Sequence, residues 1–264
     1  MRGLVILGGG RITNALLAGL QLAKYRAPIV VYDRHPEKLR QLKKLYGVSI
    51  EQDLPRAVER AQLLLVAVRP SSVAGLLQEI GDVNRPLAAV SLAAGIPLSK
   101  LRARLGPPVR WARAMPSPLC RSRLGLTAVA FDRGFPRLAQ QQVRRLFASV
   151  GAVLEIPEAK FDVFTVTYSP SHGYHALATL AAAAEKLGLD RKTALTSAAH
   201  ALADAVATCR DGKVSLSAML HEAATPGGTA AAVMEAMNRA GYPRVVSRGL
   251  TAGLKRAGKN AALR

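Results

Sequence analysis

The sequence predicts an α/β chain in which a doubly wound parallel sheet is followed by an all-helical domain. Three observations carry that expectation. Short apolar runs alternate with helix-period patterns as far as residue 155, as in a parallel sheet covered on both faces. A glycine triplet, Gly8-Gly9-Gly10, separates the first apolar run from the first helical pattern. Beyond residue 160 alanine-rich helical segments follow one another with no strand between them. The boundary is placed near Pro157, dividing the chain into 1–157 and 158–264.

Taken in order, LVIL (4–7) is a buried strand and residues 11–25 carry a helical apolar pattern. IVVYD (29–33) is a second strand, and HPEKLRQLKKLYG a helix from Pro36 to Gly47, with proline at its start and glycine at its stop. VSI and a short helix, LPRAVERA, lead to QLLLVAVRP, the clearest buried strand, closed by Pro70. SSVAGLLQEIG reads as a helix, PLAAVSLAAG as a strand and PLSKLRARLG as a helix. VRWARAMP and LTAVAFD are further strands. The helical part reads as four segments, FDVFTVTYSPSHGYHALATLAAAAEKLGL, TALTSAAHALADAVATC, SAMLHEAATPGG and TAAAVMEAMNRAG. Alanine at so many inward positions lets helices pack closely, against each other or against a second subunit. Dimerisation through this part is therefore expected.

With 264 residues, half of them hydrophobic, the chain can build real cores. No apolar run reaches the roughly 18 residues of a membrane span. The first strand follows no basic lead-in or small-residue cleavage site, so no signal peptide is expected. Two cysteines, Cys120 and Cys209, argue against a disulfide scaffold and for a cytoplasmic location. The net charge of +20 is scattered, with no basic run longer than two, and aromatics make up 5%. Nucleic-acid binding is therefore not expected. A positive field suits small anionic substrates. No His/Cys/Glu spacing suggests a metal.

The glycine triplet alone would serve a tight turn that binds nothing as readily as a phosphate. Its setting decides. A strand precedes it, a helix follows, and the second strand ends at Asp33, 25 residues past Gly8. That is the layout of a Rossmann-type dinucleotide site, with pyrophosphate at the helix N-terminus and an acid near the adenine ribose. Gly8 permits the turn, Gly10 lets the pyrophosphate approach the backbone, and Ala15 lets helix and strand lie close. Asp33 would accept from the ribose hydroxyls and repel a 2′-phosphate, whereas Arg34 and Lys38 could neutralise one. The balance leans to NADH over NADPH.

VILGGGRITNALLAGL, LLLVAVRP, VSLAAGIPLSKL, RAMP, GLTAV and TPGGT occur in order between Val5 and Thr229, within a resemblance that extends from residue 4 to about 258. Together they resemble the pyrroline-5-carboxylate reductase family, which reduces a cyclic imine to proline with NAD(P)H. The resemblance implies a Rossmann domain followed by a helical domain through which subunits dimerise, with dimers often assembling further. It implies that Gly8, Gly9, Gly10, Arg11, Ile12 and Thr13 hold the pyrophosphate. Ala67, Val68, Arg69 and Pro70 match the family's AVKP beside the cofactor. Ala93, Ala94 and Gly95 match the AAG that flanks the nicotinamide. Met115 and Pro116 match the start of MPNTP, another wall of that site. Thr225, Pro226, Gly227, Gly228 and Thr229 match SPGGT, the loop and helix start that grip the substrate carboxylate.

The chain departs from the family where substrate would sit. MPNTP is here MPSPL, placing Ser117 and Pro118 at the asparagine and threonine. SGSGPAY becomes YSPSHGY (168–174), which introduces His172; Tyr174 matches the motif's tyrosine and His175 follows it. The hydroxyl expected near the substrate nitrogen falls at Ala230, and an asparagine falls at Glu222, whose charge would oppose a substrate carboxylate unless it points away or His221 offsets it. Thr229 could serve in place of the missing hydroxyl. His172 is a candidate proton donor; otherwise it is a polar residue in a loop between helices. The expected activity is NAD(P)H-dependent reduction of 1-pyrroline-5-carboxylate to L-proline by a homodimer or larger assembly. The alternatives are another cyclic imine, or a nucleotide-binding regulatory protein whose pocket has drifted.

Overall fold

The computed structural model describes residues 3–262. The first part runs β1 (Gly3–Leu7), α1 (Arg11–Leu22), β2 (Ile29–Tyr32), α2 (Pro36–Tyr46), β3 (Ser49–Glu51), α3 (Leu54–Glu59), β4 (Ala61–Val66), α4 (Pro70–Ile80), β5 (Leu87–Ser91), α5 (Leu98–Arg104), β6 (Val109–Pro116), β7 (Gly125–Phe131), α6 (Arg137–Ala148) and β8 (Gly151–Glu155). These strands form one sheet in the order β3-β2-β1-β4-β5-β6-β7-β8. Local chemistry sets several ends: Pro36 opens α2, Gly47 closes it in the left-handed conformation, and Asp53 caps α3 by accepting from the Arg56 N–H at 2.9 Å.

The central strands β1, β4 and β5 are mainly apolar because both faces are covered. Along β1, Leu4 and Ile6 join a cluster with Leu16, Leu17 and Leu20 of α1. Val5 and Leu7 point the other way, into a cluster with Leu54, Leu76 and Leu101 from α3, α4 and α5. This period-2 division is why the sequence reads as unbroken hydrophobic runs.

One pairing differs from the all-parallel expectation. β6 and β7 are antiparallel, with Ala114 opposite Val129. Only residues 117–124 join them, including a 3₁₀ turn over Pro118–Ser122. That is too short for a parallel crossover, which takes a dozen or more residues. α6 and β8, which the sequence reading passed over, restore parallel pairing between β7 and β8.

The remaining helices are α7 (Glu158–Thr167), α8 (Ser171–Lys186), α9 (Arg191–Asp211), α10 (Leu216–Ala223), α11 (Thr229–Arg239) and α12 (Tyr242–Ala262). The first helical segment, from Phe161, divides between α7 and α8, where Pro170 stands. α12 was not anticipated. By compactness the chain divides into two units, Thr167–Ala252 and everything else, so α7 and the end of α12 fall in the same unit as the sheet. In the second unit, α8 packs on α9 and Ala181, Ala194 and Ala198 are buried, while Leu180, Leu216, Val233 and Val245 are exposed. No helix among the described residues is long and apolar enough to cross a membrane.

Arg113 explains where α7 belongs. On β6 and 1% exposed, it lies over the Phe161 ring at 4.3 Å and donates through Nη2 to Asp162 at 2.5 Å; Glu158 is 3.8 Å from Nη1. Its Nε is buried without a partner. Removing one partner of a buried ion pair costs about 3–5 kcal/mol. Asp162 is about one third exposed and Glu158 remains nearby, so Asp162→Ala is expected to cost somewhat less, about 2–3 kcal/mol. Denaturant unfolding reads it, and a change under about 0.5 kcal/mol would show the pair to be no better than a surface one.

Candidate functional site

The expected cofactor residues gather on one edge of the sheet. β1, β4, β5 and β6 are parallel neighbours, so the segments leaving their C-terminal ends lie side by side. These are Gly8–Thr13, Ala67–Pro70, the stretch through Ala94 and Gly95, and Met115–Pro116. Ligands of open α/β sheets bind at this edge.

The glycines have distinct reasons to be glycine. Gly8 has φ +113°, and a Cβ there would lie 2.7 Å from the Ala67 carbonyl oxygen; the turn accepts no side chain. The Gly9 N–H donates to Asp33 Oδ2 at 2.7 Å. Gly10 is the N-cap of α1, with ordinary extended φ and no side-chain cap, and a Cβ there would meet nothing within 4 Å. The first N–H groups of a helix lack intrahelical acceptors, so those of Arg11, Ile12 and Thr13 face an open space with the positive end of the helix dipole behind them. That fits a pyrophosphate. Thr13 contributes its backbone only: its side chain is buried and its hydroxyl donates to the Gly8 carbonyl, pinning the turn. Arg11 is exposed and Ile12 half-buried.

Asp33 is engaged before any ribose arrives. Besides Gly9 on Oδ2, Oδ1 accepts from the His35 N–H at 2.9 Å and meets His35 Nδ1 at 2.8 Å, with Lys38 Nζ at 3.8 Å. Burial pushes its carboxyl up, but the hydrogen bonds from Gly9 and His35 and the charge of Lys38 together hold it below the usual carboxylate range. It stays ionised at neutral pH, and lone pairs remain for ribose hydroxyls. Arg34 is ion-paired with Glu79 of α4. Nothing in the local sequence around Arg34 signals that pairing.

Ala67 is buried, Val68 and Pro70 half-buried and Arg69 exposed; the Ala67 N–H donates to the Leu7 carbonyl at 2.8 Å. Ala94 is half-buried and Gly95 buried, at φ +75°. Met115 is half-buried and Pro116 buried. Ser117 caps the 3₁₀ turn, accepting from the Leu119 N–H at 3.0 Å. Asn260 of α12 donates to the Ala94 carbonyl at 3.2 Å, a contact spanning 166 residues that no local motif announces.

The expected substrate residues fall in the second unit as one short stretch. Glu222 lies near the end of α10, and Thr225 donates its hydroxyl to the Glu222 carbonyl at 3.2 Å. The Gly228 N–H donates to the Thr225 carbonyl at 2.9 Å. Gly227 has φ +75°, and Gly228 is the N-cap of α11 with no side-chain cap. Thr229 and Ala230 are the first two residues of α11, so this turn too presents unpartnered N–H groups. The Glu222 carboxylate is exposed, with no hydrogen bond or ion pair among the described residues. His172 is not in a loop: it is the second residue of α8, exposed, with Tyr174 and His175 in the turn beyond it.

Two family models match the chain. Residues 3–95 match the family described as NADP oxidoreductase coenzyme F420-dependent, and residues 158–260 match pyrroline-5-carboxylate reductase dimerisation. Pyrroline-5-carboxylate reductase of Mycobacterium tuberculosis is 30% identical, over 97% of this chain and 96% of its own. The 1-pyrroline-5-carboxylate reductase structure from Streptococcus pyogenes superposes with TM-score 0.88 at 22% identity, covering 97% of this chain and 98% of that one. The Plasmodium falciparum pyrroline carboxylate reductase with NADP bound gives 0.85 at 18%, covering 98% and 97%. With 30% identity over nearly the whole of both chains and a match to the dimerisation family over residues 158–260, the chain belongs to the pyrroline-5-carboxylate reductase family.

Proposed function

We propose that the chain reduces 1-pyrroline-5-carboxylate to L-proline with a reduced nicotinamide dinucleotide. The observation that carries this reading is a pair of helix N-termini, those of α1 and α11, each entered through glycine and left without a side-chain cap. One suits a pyrophosphate, the other a carboxylate. The bound dinucleotide supplies a hydride from C4 of its nicotinamide to the imine carbon.

The chain's own part is to hold and orient. A protonated cyclic imine is already electrophilic, so register does most of the work, and holding reactants aligned contributes roughly 7–11 kcal/mol. The Gly8–Thr13 turn holds the pyrophosphate; Ala67–Pro70, Ala94, Gly95, Met115 and Pro116 wall the nicotinamide from water. Thr225, Gly227 and Thr229 grip the substrate carboxylate through their N–H groups, while Gly228, whose own N–H is held by the Thr225 carbonyl, brings the chain into the helix start. The Thr229 hydroxyl oxygen accepts from the iminium N–H and can donate to the nitrogen lone pair that develops as the imine is reduced, with His172 as the other candidate donor. Thr229→Ala is expected to lower kcat about tenfold, the effect of one hydrogen bond, with His172→Asn changing it less; the reverse order would assign the donor role to His172. The assay for the whole reading is NAD(P)H oxidation against a panel of cyclic imines with and without carboxylates. Turnover of pyrroline-5-carboxylate above the rest supports it, and cofactor binding without turnover of any imine overturns it.

Two features support NADH over NADPH. Asp33 remains charged where a 2′-phosphate would sit, and Glu79 holds the arginine that would otherwise neutralise that phosphate. The expected ratio of kcat/KM favours NADH, and Glu79→Ala should move it severalfold towards NADPH. A tenfold preference of the unaltered protein for NADPH would refute this.

The helical part is proposed to mediate a homodimer or larger assembly, which would cover the apolar side chains it exposes. A monomer by sedimentation at micromolar concentration would contradict that. Both cysteines are free and burial pushes the Cys120 thiol up to about 11, which fits an inert thiol and a cytoplasmic enzyme.

A further inference from the structure

The loop after β5 carries Ala94 and Gly95, whose shared peptide bond is held on both sides by the last turns of α12. The Asn260 side-chain amide donates to the Ala94 carbonyl at 3.2 Å. Gly95 lies so close to α12 that a Cβ there would fall 2.5 Å from the Ala257 carbonyl oxygen. Ala94 and Gly95 form a turn, with Gly95 at the positive φ that favours glycine there. Through its Nδ2 Asn260 holds the Ala94 carbonyl towards α12. The contact is not a general packing device: Ala257 already fills the space against Gly95, and it is buried.

We propose that Asn260 is a positioning residue for the nicotinamide, fixing the Ala94–Gly95 peptide in the orientation that binds the ring. The inference rests on the reading of Ala94 and Gly95 as part of the nicotinamide wall. It also gives the end of α12 a reason to return to the sheet: the helix that leaves the second unit finishes as the brace of a cofactor loop.

The test compares a ligand that reaches this loop with one that does not. NADH carries the nicotinamide; ADP-ribose has the same adenine, riboses and pyrophosphate without it. Titration calorimetry would be run with both on the full chain and on Asn260→Ala and Asn260→Asp. The aspartate keeps the shape but cannot donate. Loss of one hydrogen bond predicts NADH binding about 3- to 10-fold weaker in both variants, with ADP-ribose affinity unchanged and the thermal midpoint preserved. Equal weakening of both ligands would mean that Asn260 merely supports the fold, and overturns the proposal. So would unchanged NADH affinity in both variants, or an aspartate variant that binds like the unaltered protein. If the unaltered protein binds ADP-ribose but gains nothing from the nicotinamide, the assignment of the wall itself is wrong and the proposal falls with it. Failure to bind either ligand would instead sink the dinucleotide reading of the whole edge.

Discussion

Gly10→Val is expected to weaken dinucleotide binding about 100-fold or more while leaving the free protein within about 1 kcal/mol of its original stability. The two halves of that result have separate causes. Gly10 has φ −80°, which valine adopts without strain, and a Cβ there meets nothing within 4 Å. The cost to the fold is then only that of a poorer N-cap, about 1 kcal/mol. The open space is where the pyrophosphate approaches the N–H groups of α1. A branched side chain there removes hydrogen bonds to a charged group, each contributing about 1.5–3 kcal/mol, and two such losses exceed 100-fold in affinity. Gly8→Val would be uninformative by comparison, because its Cβ would strike the Ala67 carbonyl and damage the fold with or without ligand. Denaturant unfolding and cofactor titration on Gly10→Val check both halves. Unchanged affinity in a well-folded variant would show that the turn binds no phosphate.

The second large effect is a gain. Glu222→Asn with Ala230→Thr restores the residues that the resemblance expects, and should raise kcat/KM for pyrroline-5-carboxylate roughly 5- to 150-fold. The estimate adds one regained hydrogen bond to one removed repulsion, together about 1–3 kcal/mol. The structure gives the double change a clear local setting. Glu222 is exposed and unpaired close to Thr225, whose hydroxyl is spent on the Glu222 carbonyl, and Ala230 occupies the first turn of α11. Neither side chain is packed, so neither substitution should disturb folding. Should the pair instead lower turnover of some other imine, Glu222 recognises a cationic group on that substrate. No gain on pyrroline-5-carboxylate with cofactor still bound would move the drifted-pocket alternative ahead.

The sheet, and the strand ends where the candidate cofactor segments gather, were legible because their determinants are local. Strand β6 runs over the residues the pattern marked, Val109–Pro116, and α2 stops where Gly47 takes the left-handed conformation. The β6–β7 reversal was not legible from strand pattern alone. It follows from connection length, and the eight residues between Pro116 and Gly125 carried that information. The packing of α7 and the end of α12 in the unit of the sheet was not legible, for another reason. A change from strands to helices marks residue 157, while Arg113 binds Asp162 across 49 residues and Asn260 reaches Ala94 across 166. Contacts of that span leave no periodicity. The same holds for Glu79, which engages Arg34 across 45 residues and changes what that arginine can do for a phosphate. His172 was misplaced because the Tyr168–Pro170 break suggested a loop reaching further than it does; α8 begins at Ser171.

The most direct test of the account is isotopic. NADH carrying deuterium at both C4 positions of its nicotinamide would be incubated with the protein and pyrroline-5-carboxylate, and the product analysed by mass spectrometry and NMR. The account predicts L-proline with one deuterium at the former imine carbon, formed in step with cofactor oxidation. Cofactor that binds and stays reduced, or proline formed without the label, would contradict it.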